Sequence, residues 1–81
     1  MLVTVRLFAR LREIAGRSEL RIEVPDGGTV KDAWTILSGR HPELEAYAAS
    51  VSCAVNEDYT RMTSLLHDGD EVAFLPPVSG G

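Results

Sequence analysis

Two runs of alternating apolar and polar residues open the chain, and these runs limit the fold more than any other feature. Apolar side chains recur at every second position over residues 3–7 and again over residues 20–24. A period of two is typical of a strand that buries one face, so strands are expected at about 2–9 and 18–25. The connecting segment 10–17 contains Gly16 and predicts an enlarged hairpin loop, which makes the two strands antiparallel neighbours.

A helical pattern comes next. Thr29 is a candidate N-cap with Asp32 three residues later, and apolar residues then recur at 30, 33, 34 and 37. This spacing predicts a helix over about 30–39 that ends near Gly39. Pro42 suits the first turn of a second, shorter helical piece.

The last third of the chain returns to strand patterns. Alternation over residues 51–55 predicts a third strand, and residues 59–62 can pair back with it after a turn. A turn at residues 68–70 precedes a last strand at 71–75, which Pro76 and Pro77 end because proline lacks an N–H group for the ladder.

This order of elements predicts an α+β domain of the ubiquitin-like, β-grasp type. We expect a mixed sheet of four to five strands with one main helix packed across it. Residues 1–77 would form the domain, and residues 78–81 would form a flexible C-terminal tail.

Length and composition agree with one small soluble domain. The chain has 81 residues, of which 44% are apolar and 25% charged. No apolar run approaches the roughly 20 residues of a membrane-spanning helix, and no signal peptide is evident, so a cytoplasmic protein without membrane contact is expected. The single cysteine, Cys53, cannot form an internal disulfide.

The charge is unevenly distributed along the chain. Residues 1–40 carry a net charge of +2 and residues 41–81 a net charge of −6. Nucleic acid is disfavoured as a partner, because binding to phosphates requires clustered Lys and Arg. A protein partner with a basic face fits the acidic half, and a solvated surface that aids solubility is the alternative.

The pattern shows no internal active site. Two histidines and one cysteine are too few for a transition-metal site, so no bound metal is expected. His41 and His67 border a helix junction and a turn. Cys53 is in register with the apolar positions of its strand and is expected to be an inert buried thiol.

The tail offers the one group with evident chemistry. Gly80 and Gly81 place a carboxylate on a thread without Cβ atoms, which can enter a channel too narrow for other residues. A carboxylate is a poor electrophile and has to be activated by another enzyme. The activated acyl group could then accept sulfide, which gives a thiocarboxylate, or a lysine amine, which gives an isopeptide.

The closing segment from Asp68 to Gly81, DGDEVAFLPPVSGG, resembles the C-terminal signature of the molybdopterin synthase small subunit, the sulfur carrier of molybdenum cofactor biosynthesis. Residues 7–16 resemble that family's first strand and loop, and residues 54–56 resemble its third strand. The resemblance covers essentially the whole chain and is least distinctive over residues 29–50.

The resemblance implies a function for the tail. The Gly81 carboxylate would be adenylated by a ubiquitin-activating-like adenylyltransferase that uses ATP, and a sulfurtransferase or other sulfur donor would convert it to a thiocarboxylate. Val78, Ser79 and Gly80 would thread into a large subunit, where Gly81 donates sulfur to cyclic pyranopterin monophosphate. The family's synthase is a heterotetramer of two small and two large chains, and its catalytic side chains belong to the large subunit. No cofactor is expected on this chain.

The resemblance also suggests a docking face. Alternation leaves Phe8 and Leu75 on the face opposite the core, and Tyr59 can join them. These positions match an apolar contact surface of the family, and Pro76 and Pro77 would stiffen the departure of the tail. Alternatively, one or more of them completes the core.

Three other functions remain open. A related carrier for thiamine thiazole synthesis or tRNA thiolation shares the fold and the Gly-Gly end, but Pro76 and Pro77 favour the molybdopterin reading. A ubiquitin-like modifier would use Gly81 to acylate lysines of target proteins, and Lys31, the only lysine, argues against diverse chain linkages. An interaction domain with an incidental tail is the last possibility.

Overall fold

Eight elements follow one another along residues 1–77, the part of the chain that the computed structural model describes. They are β1 (Leu2–Leu7), α1 (Ala9–Ala15), β2 (Glu19–Glu23), α2 (Val30–Arg40), a 3₁₀ helix (Pro42–Tyr47), β3 (Ser52–Val55), β4 (Asp58–Thr60) and β5 (Glu71–Leu75). The five expected strands and the main helix are all present, with bounds within two residues of those predicted.

The strands form one mixed sheet in the order β2-β1-β5-β3-β4. β1 and β5 run parallel in the centre, with Val5 opposite Val72, and all other neighbours are antiparallel. Parallel strands end at the same edge of a sheet. We call the edge where β1 and β5 end the tail edge, because the chain continues from it beyond Leu75, and the edge where they begin the far edge.

One face of the sheet, the inner face, packs against α2 and forms the core. Trp34 of α2 meets Phe74 of β5 edge-on, with ring centroids 5.0 Å apart. The indole N–H of Trp34 has no hydrogen-bond partner within residues 1–77. The expected burial of Cys53 on this face is confirmed, since it is 4% exposed. The largest fully buried apolar side chains of the domain are Val3, Val5, Leu7, Leu11, Ile22, Val24, Val30, Leu37, Leu44, Val72 and Phe74.

The predicted N-cap of α2 is confirmed. The Thr29 hydroxyl accepts the N–H of Asp32 (3.4 Å), and the Asp32 carboxylate accepts the N–H of Thr29 (2.8 Å), which completes a capping box. This reciprocal pair fixes where the helix begins at the far edge. None of the helices within residues 1–77 is long and apolar enough to cross a membrane.

The predicted end of α2 at Gly39 is wrong by one residue. Gly39 keeps a helical backbone, Arg40 is the last helical residue, and His41 follows with φ −134° and ψ 81°. Proline disfavours a helical conformation in the residue before it, so Pro42 rather than Gly39 ends the helix. Pro42 then opens the expected short helical piece, which is a 3₁₀ helix.

The expectation of a loop over residues 10–17 is also wrong, because this segment contains α1. Leu11 is completely buried, and Ile14 and Ala15 pack against the core one turn later. Gly16 ends the helix in the left-handed region (φ 73°) and donates its N–H to the Arg12 carbonyl (2.8 Å). The i, i+3, i+4 spacing followed by glycine was the sequence signal for this helix.

The expected turn at residues 68–70 is confirmed, and it joins several segments at the far edge. The Asp68 carboxylate accepts the N–H of Leu2 (2.8 Å). The Asp70 carboxylate accepts the Asn56 side-chain amide (3.0 Å) and the N–H of His67 (2.7 Å). The Asn56 hydrogen bond, together with the His67 contacts, outweighs desolvation and lowers the pKa of Asp70. Both carboxylates therefore hold the entry to β5 in place.

Candidate functional site

Phe8 and Leu75 lie next to each other at the tail edge, on the outer face of the sheet. Their preceding residues, Leu7 and Phe74, are opposite each other in the parallel ladder and are fully buried on the inner face. Phe8 keeps an extended backbone (φ −127°, ψ 154°), so the alternation of side chains continues through it. The predicted outward direction of Phe8 and Leu75 is therefore confirmed.

Tyr59 reaches the same face from the edge strand β4. The register places Tyr59 opposite Ala54, Ala54 opposite Ala73, and Ala73 opposite Arg6. The small side chains of Ala54 and Ala73 thus form a low floor between Tyr59 on the outermost strand and β1 in the centre of the sheet. We call Phe8, Ala54, Tyr59, Ala73 and Leu75 the outer patch.

The large members of the outer patch are accessible to different degrees. Tyr59 is 76% exposed and Phe8 is 40% exposed. Leu75 and Pro76 are half-buried, and Pro77 is exposed. Aromatic side chains that stand exposed on a sheet face next to a chain exit are typical of protein–protein contact surfaces. A contact role for Phe8, Tyr59, Leu75, Pro76 and Pro77 remains a prediction.

A tight turn in the backbone brings Phe8 to the patch. Ala9 follows with φ 49°, in the left-handed region that residues with a Cβ atom rarely adopt. This residue reverses the chain from β1 into α1 within one step, so Phe8 stays in line with the strand while Leu11 enters the core. The unfavourable backbone conformation of Ala9 is thus part of the turn that leaves the Phe8 side chain on the outer face.

Charged residues border the outer patch on two sides. Arg6 and Glu71 form an ion pair across β1 and β5 (3.8 Å). Glu57, at the tip of the β3–β4 hairpin, adds an exposed carboxylate just before the strand that carries Tyr59. An apolar centre with a charged border is the usual composition of a protein interface.

The predicted reactive group and its thread, Gly81 with Val78, Ser79 and Gly80, lie outside the described residues. The structure shows where the chain leaves the domain, at Leu75 and Pro76 on the tail edge. The outer patch borders this exit through Leu75.

Other candidate groups are not assembled into a site within residues 1–77. The Cys53 thiol donates to the Thr60 carbonyl (3.4 Å), and burial raises its pKa, which disfavours the nucleophilic thiolate. His67 is largely exposed and lies 3.7 Å from Asp70. No group of three or more His, Cys, Asp or Glu side chains in this part of the chain could hold a metal ion.

The N-terminus of α2 is occupied by protein contacts. The N–H groups of Val30 and Lys31 donate to the carbonyls of Ser64 (3.0 Å) and Met62 (2.8 Å). These donors would otherwise be available to an anion such as a phosphate. An open groove of about 380 Å³ lies nearby, between the 25–28 turn and α2, at the far edge.

A family model decides the relationship of this chain to known proteins, since the model of the ThiS family matches residues 5–81. The chain belongs to the ThiS family. It is 39% identical to the molybdopterin synthase sulfur carrier subunit of Chlamydomonas reinhardtii, over all of both chains. It is 38% identical to the subunit of the same name from Arabidopsis thaliana, over 98% of this chain and 82% of that one.

Solved structures give the same fold. The crystal structure of the small archaeal modifier SAMP1 from Haloferax volcanii has a TM-score of 0.89 at 34% identity, and each chain is fully covered. One chain of the complex of subunits 1 and 2 of the molybdopterin-converting factor from Helicobacter pylori 26695 has a TM-score of 0.69 at 26% identity, again over all of both chains. This ThiS family member therefore has the expected ubiquitin-like β-grasp fold.

Sequence reasoning found the large residues of the outer patch but not its floor. Ala54 and Ala73 are distant in the chain and become neighbours only because β3 pairs with β5 in one particular register. Small residues carry no signal of their own in an alternating pattern. The order of strands and the register both had to be known before the floor could be recognised.

Proposed function

We propose that this chain is the sulfur carrier and small subunit of molybdopterin synthase, with the Gly81 carboxylate as the group that carries sulfur. The observation that carries the proposal is full-length similarity to molybdopterin synthase sulfur carrier subunits, which extends through the Gly-Gly end. The outer patch supports it, because an accessible apolar surface borders the exit of the tail.

The chemistry begins with activation of Gly81. A ubiquitin-activating-like adenylyltransferase would join the carboxylate to AMP from ATP and release pyrophosphate. A sulfurtransferase or other sulfur donor then supplies sulfide sulfur to the acyl carbon, AMP leaves, and a thiocarboxylate results. The thiocarboxylate donates its sulfur to cyclic pyranopterin monophosphate. The dithiolene product contains two sulfur atoms, so two loaded carriers are consumed for each molybdopterin.

The fold contributes position rather than catalytic side chains. The outer patch would dock on the large subunit, in a heterotetramer of two small and two large chains, and Phe8, Tyr59 and Leu75 would supply the apolar contact. Pro76 and Pro77 restrict the backbone at the exit, so less entropy is lost when the tail enters the partner. This chain would bind no cofactor of its own.

The intact mass of the chain tests this proposal. The protein is isolated from its own cells under thiol-free conditions, and the spectrum is inspected for one C-terminal oxygen replaced by sulfur. A sulfur-bearing Gly81 supports a carrier. Deletion of Gly81 should then abolish molybdopterin formation, and a deletion strain that still makes molybdopterin would refute the assignment. Loss of thiamine or of thiolated tRNA instead would indicate a related carrier.

A second candidate function is protein modification, which the likeness to the Haloferax volcanii modifier favours. The modifier would use the same activated Gly81, but a lysine amine of a target protein would attack the acyl carbon. Its signature is a set of higher-mass conjugates that contain a Gly81 isopeptide, together with free chain that carries no sulfur.

A further inference from the structure

The positive charges of this chain are divided very unequally between arginine and lysine. The sequence contains seven arginines and one lysine, Lys31. The distinction matters for a protein with an activated acyl group, because a lysine amine can attack such a group whereas the guanidinium of arginine stays protonated and does not. The arginines of β1, α1 and the short connection to β2, all towards the tail edge, are Arg6, Arg10, Arg12 and Arg17.

Lys31 lies at the other end of the domain. It is in the first turn of α2, and its backbone N–H is bound to the Met62 carbonyl. Gly28, just before this helix, accepts the N–H of Leu66 (2.9 Å), and the chain from Leu66 leads into the start of β5. The helix therefore begins at the far edge, one strand length from the exit of the tail.

The α-amino group of Met1 is also at the far edge and is engaged. It donates to the Val24 carbonyl (2.8 Å) and lies 3.3 Å from the Asp26 carboxylate and 3.5 Å from that of Glu23. Desolvation lowers the pKa of this amine, but the interactions with Asp26 and Glu23 outweigh it and raise the pKa. These contacts therefore favour the protonated form of the amine, which is not nucleophilic.

Chain length limits which amines the tail can reach. Residues 78–81 span at most about 13 Å when extended. The strand β5, Glu71–Leu75, is itself about 13 Å long. A tail that turned back after Pro77 would be used up along the sheet, before it reached α2 on the inner side. Position 6 is nearer, because Arg6 is opposite Ala73, two residues before Leu75, so the tail would have to turn back over only about half of β5 to meet it.

We propose that the fold protects its activated C-terminus from self-acylation by placing only arginines within reach of the tail and its one lysine beyond reach. The inference rests on the proposed activation of Gly81. In the avoided reaction a lysine amine attacks the acyl carbon, an amide bond forms, the bond to AMP or to a thiol breaks, and the ammonium proton goes to solvent. Arg6 is the decisive residue, since it keeps a positive charge beside β5, the strand from which the tail leaves, without a reactive amine.

The test relocates the lysine without changing the composition. The double variant Arg6→Lys/Lys31→Arg is compared with the natural chain, and Lys31→Arg alone provides a chain without lysine. Each is prepared with a C-terminal thioester by cleavage from an intein with a small thiol, then left at low concentration and neutral pH. Mass spectrometry separates the hydrolysed acid from a cyclic product that is lighter by one water.

Both substitutions are expected to leave the fold intact. Arg6 is about half exposed, and a lysine there can still pair with Glu71. Lys31 is exposed and forms no ion pair within residues 1–77. Unchanged thermal unfolding would verify this for each chain before the thioester is made.

We expect the natural chain and Lys31→Arg to give the acid. The double variant should raise the ratio of cyclic product to acid by about tenfold or more, with the new bond at position 6, because a tethered amine acts at a high effective concentration. Equal cyclisation of the natural chain, or none above its level in the double variant, would overturn the inference. The activation is chemical, so this outcome is independent of whether the chain carries sulfur in cells.

Discussion

The two faces of the central strands differ although their residues alternate one by one. On the inner face, Leu7 and Phe74 are 1% and 0% exposed beneath the helices. On the outer face, their chain neighbours are far more accessible, since Phe8 is 40% exposed and Leu75 is half-buried. The inner side chains therefore determine whether the domain folds, whereas those of the outer patch can be changed at little cost to the fold. Substitutions on each face can break or sharpen this comparison.

The largest effect is expected from Phe74→Ala on the inner face. This change removes a fully buried phenyl ring that packs against Trp34 and leaves a cavity, so it should lower the free energy of unfolding by about 3–5 kcal/mol. Denaturant unfolding followed by fluorescence of Trp34, the only tryptophan, measures it. The matched change Leu75→Ala, one residue along, should cost about 1 kcal/mol. Equal losses at the two positions would contradict the difference between the faces.

On the outer face, Tyr59→Ala should weaken binding rather than folding. Loss of an exposed aromatic anchor is expected to reduce affinity for the molybdopterin synthase large subunit by about 10- to 100-fold, and to change the free energy of unfolding by less than about 0.5 kcal/mol. Titration calorimetry with the large subunit measures the first quantity. Leu65→Ala is the control, because Leu65 is 62% exposed but pairs with Thr29, outside the patch. A similar loss of affinity for both variants would mean that the patch is not the docking surface.

A third change, Asp70→Asn at the far edge, tests how one carboxylate contributes to stability through its pH dependence. The pKa of Asp70 in the folded chain is below its ordinary value of 3.8, so its ionised form stabilises the fold above that value, and this contribution is lost as pH falls through the lower folded pKa. The variant should be about 1 kcal/mol less stable at pH 7 through weaker hydrogen bonds to Asn56 and His67. In chemical denaturation the difference should shrink below about pH 4. A gap that stays constant down to pH 2 would refute the charge-based explanation.

Much of the fold could be predicted because its signals are local. Alternation locates the strands, and the Thr29–Asp32 box locates the start of α2. The helix α1 was missed because it has only 7 residues, about two turns, and a hairpin loop fits the same length. Its apolar spacing and Gly16 would have indicated it.

The site was less predictable because it depends on pairing between distant segments. The outward direction of Phe8 follows from alternation alone. Its position beside Leu75 depends on the parallel register of β1 with β5, and the floor of Ala54 and Ala73 depends on the register of β5 with β3. Such registers are set by the whole sheet, which no short pattern contains.

The smallest expected effect is at the turn between β3 and β4, beside the outer patch. Asn56 and Glu57 have φ values of 49° and 74°, so both are left-handed in a two-residue connection that normally has glycine at the second position. Glu57→Gly should raise the free energy of unfolding by about 0.5–1 kcal/mol, because it removes the steric cost of a Cβ atom at positive φ.

Asp58→Gly is the matched control for that turn, since it removes a carboxylate from the next residue, which has no positive φ. It should destabilise the domain, because glycine weakens a strand. Both variants can be compared by thermal unfolding. A loss of stability in both would show that the left-handed backbone at Glu57 costs nothing measurable. If only Glu57→Gly gains stability and the large subunit binds it with unchanged affinity, the hairpin tip lies outside the contact and Tyr59 marks the limit of the docking surface.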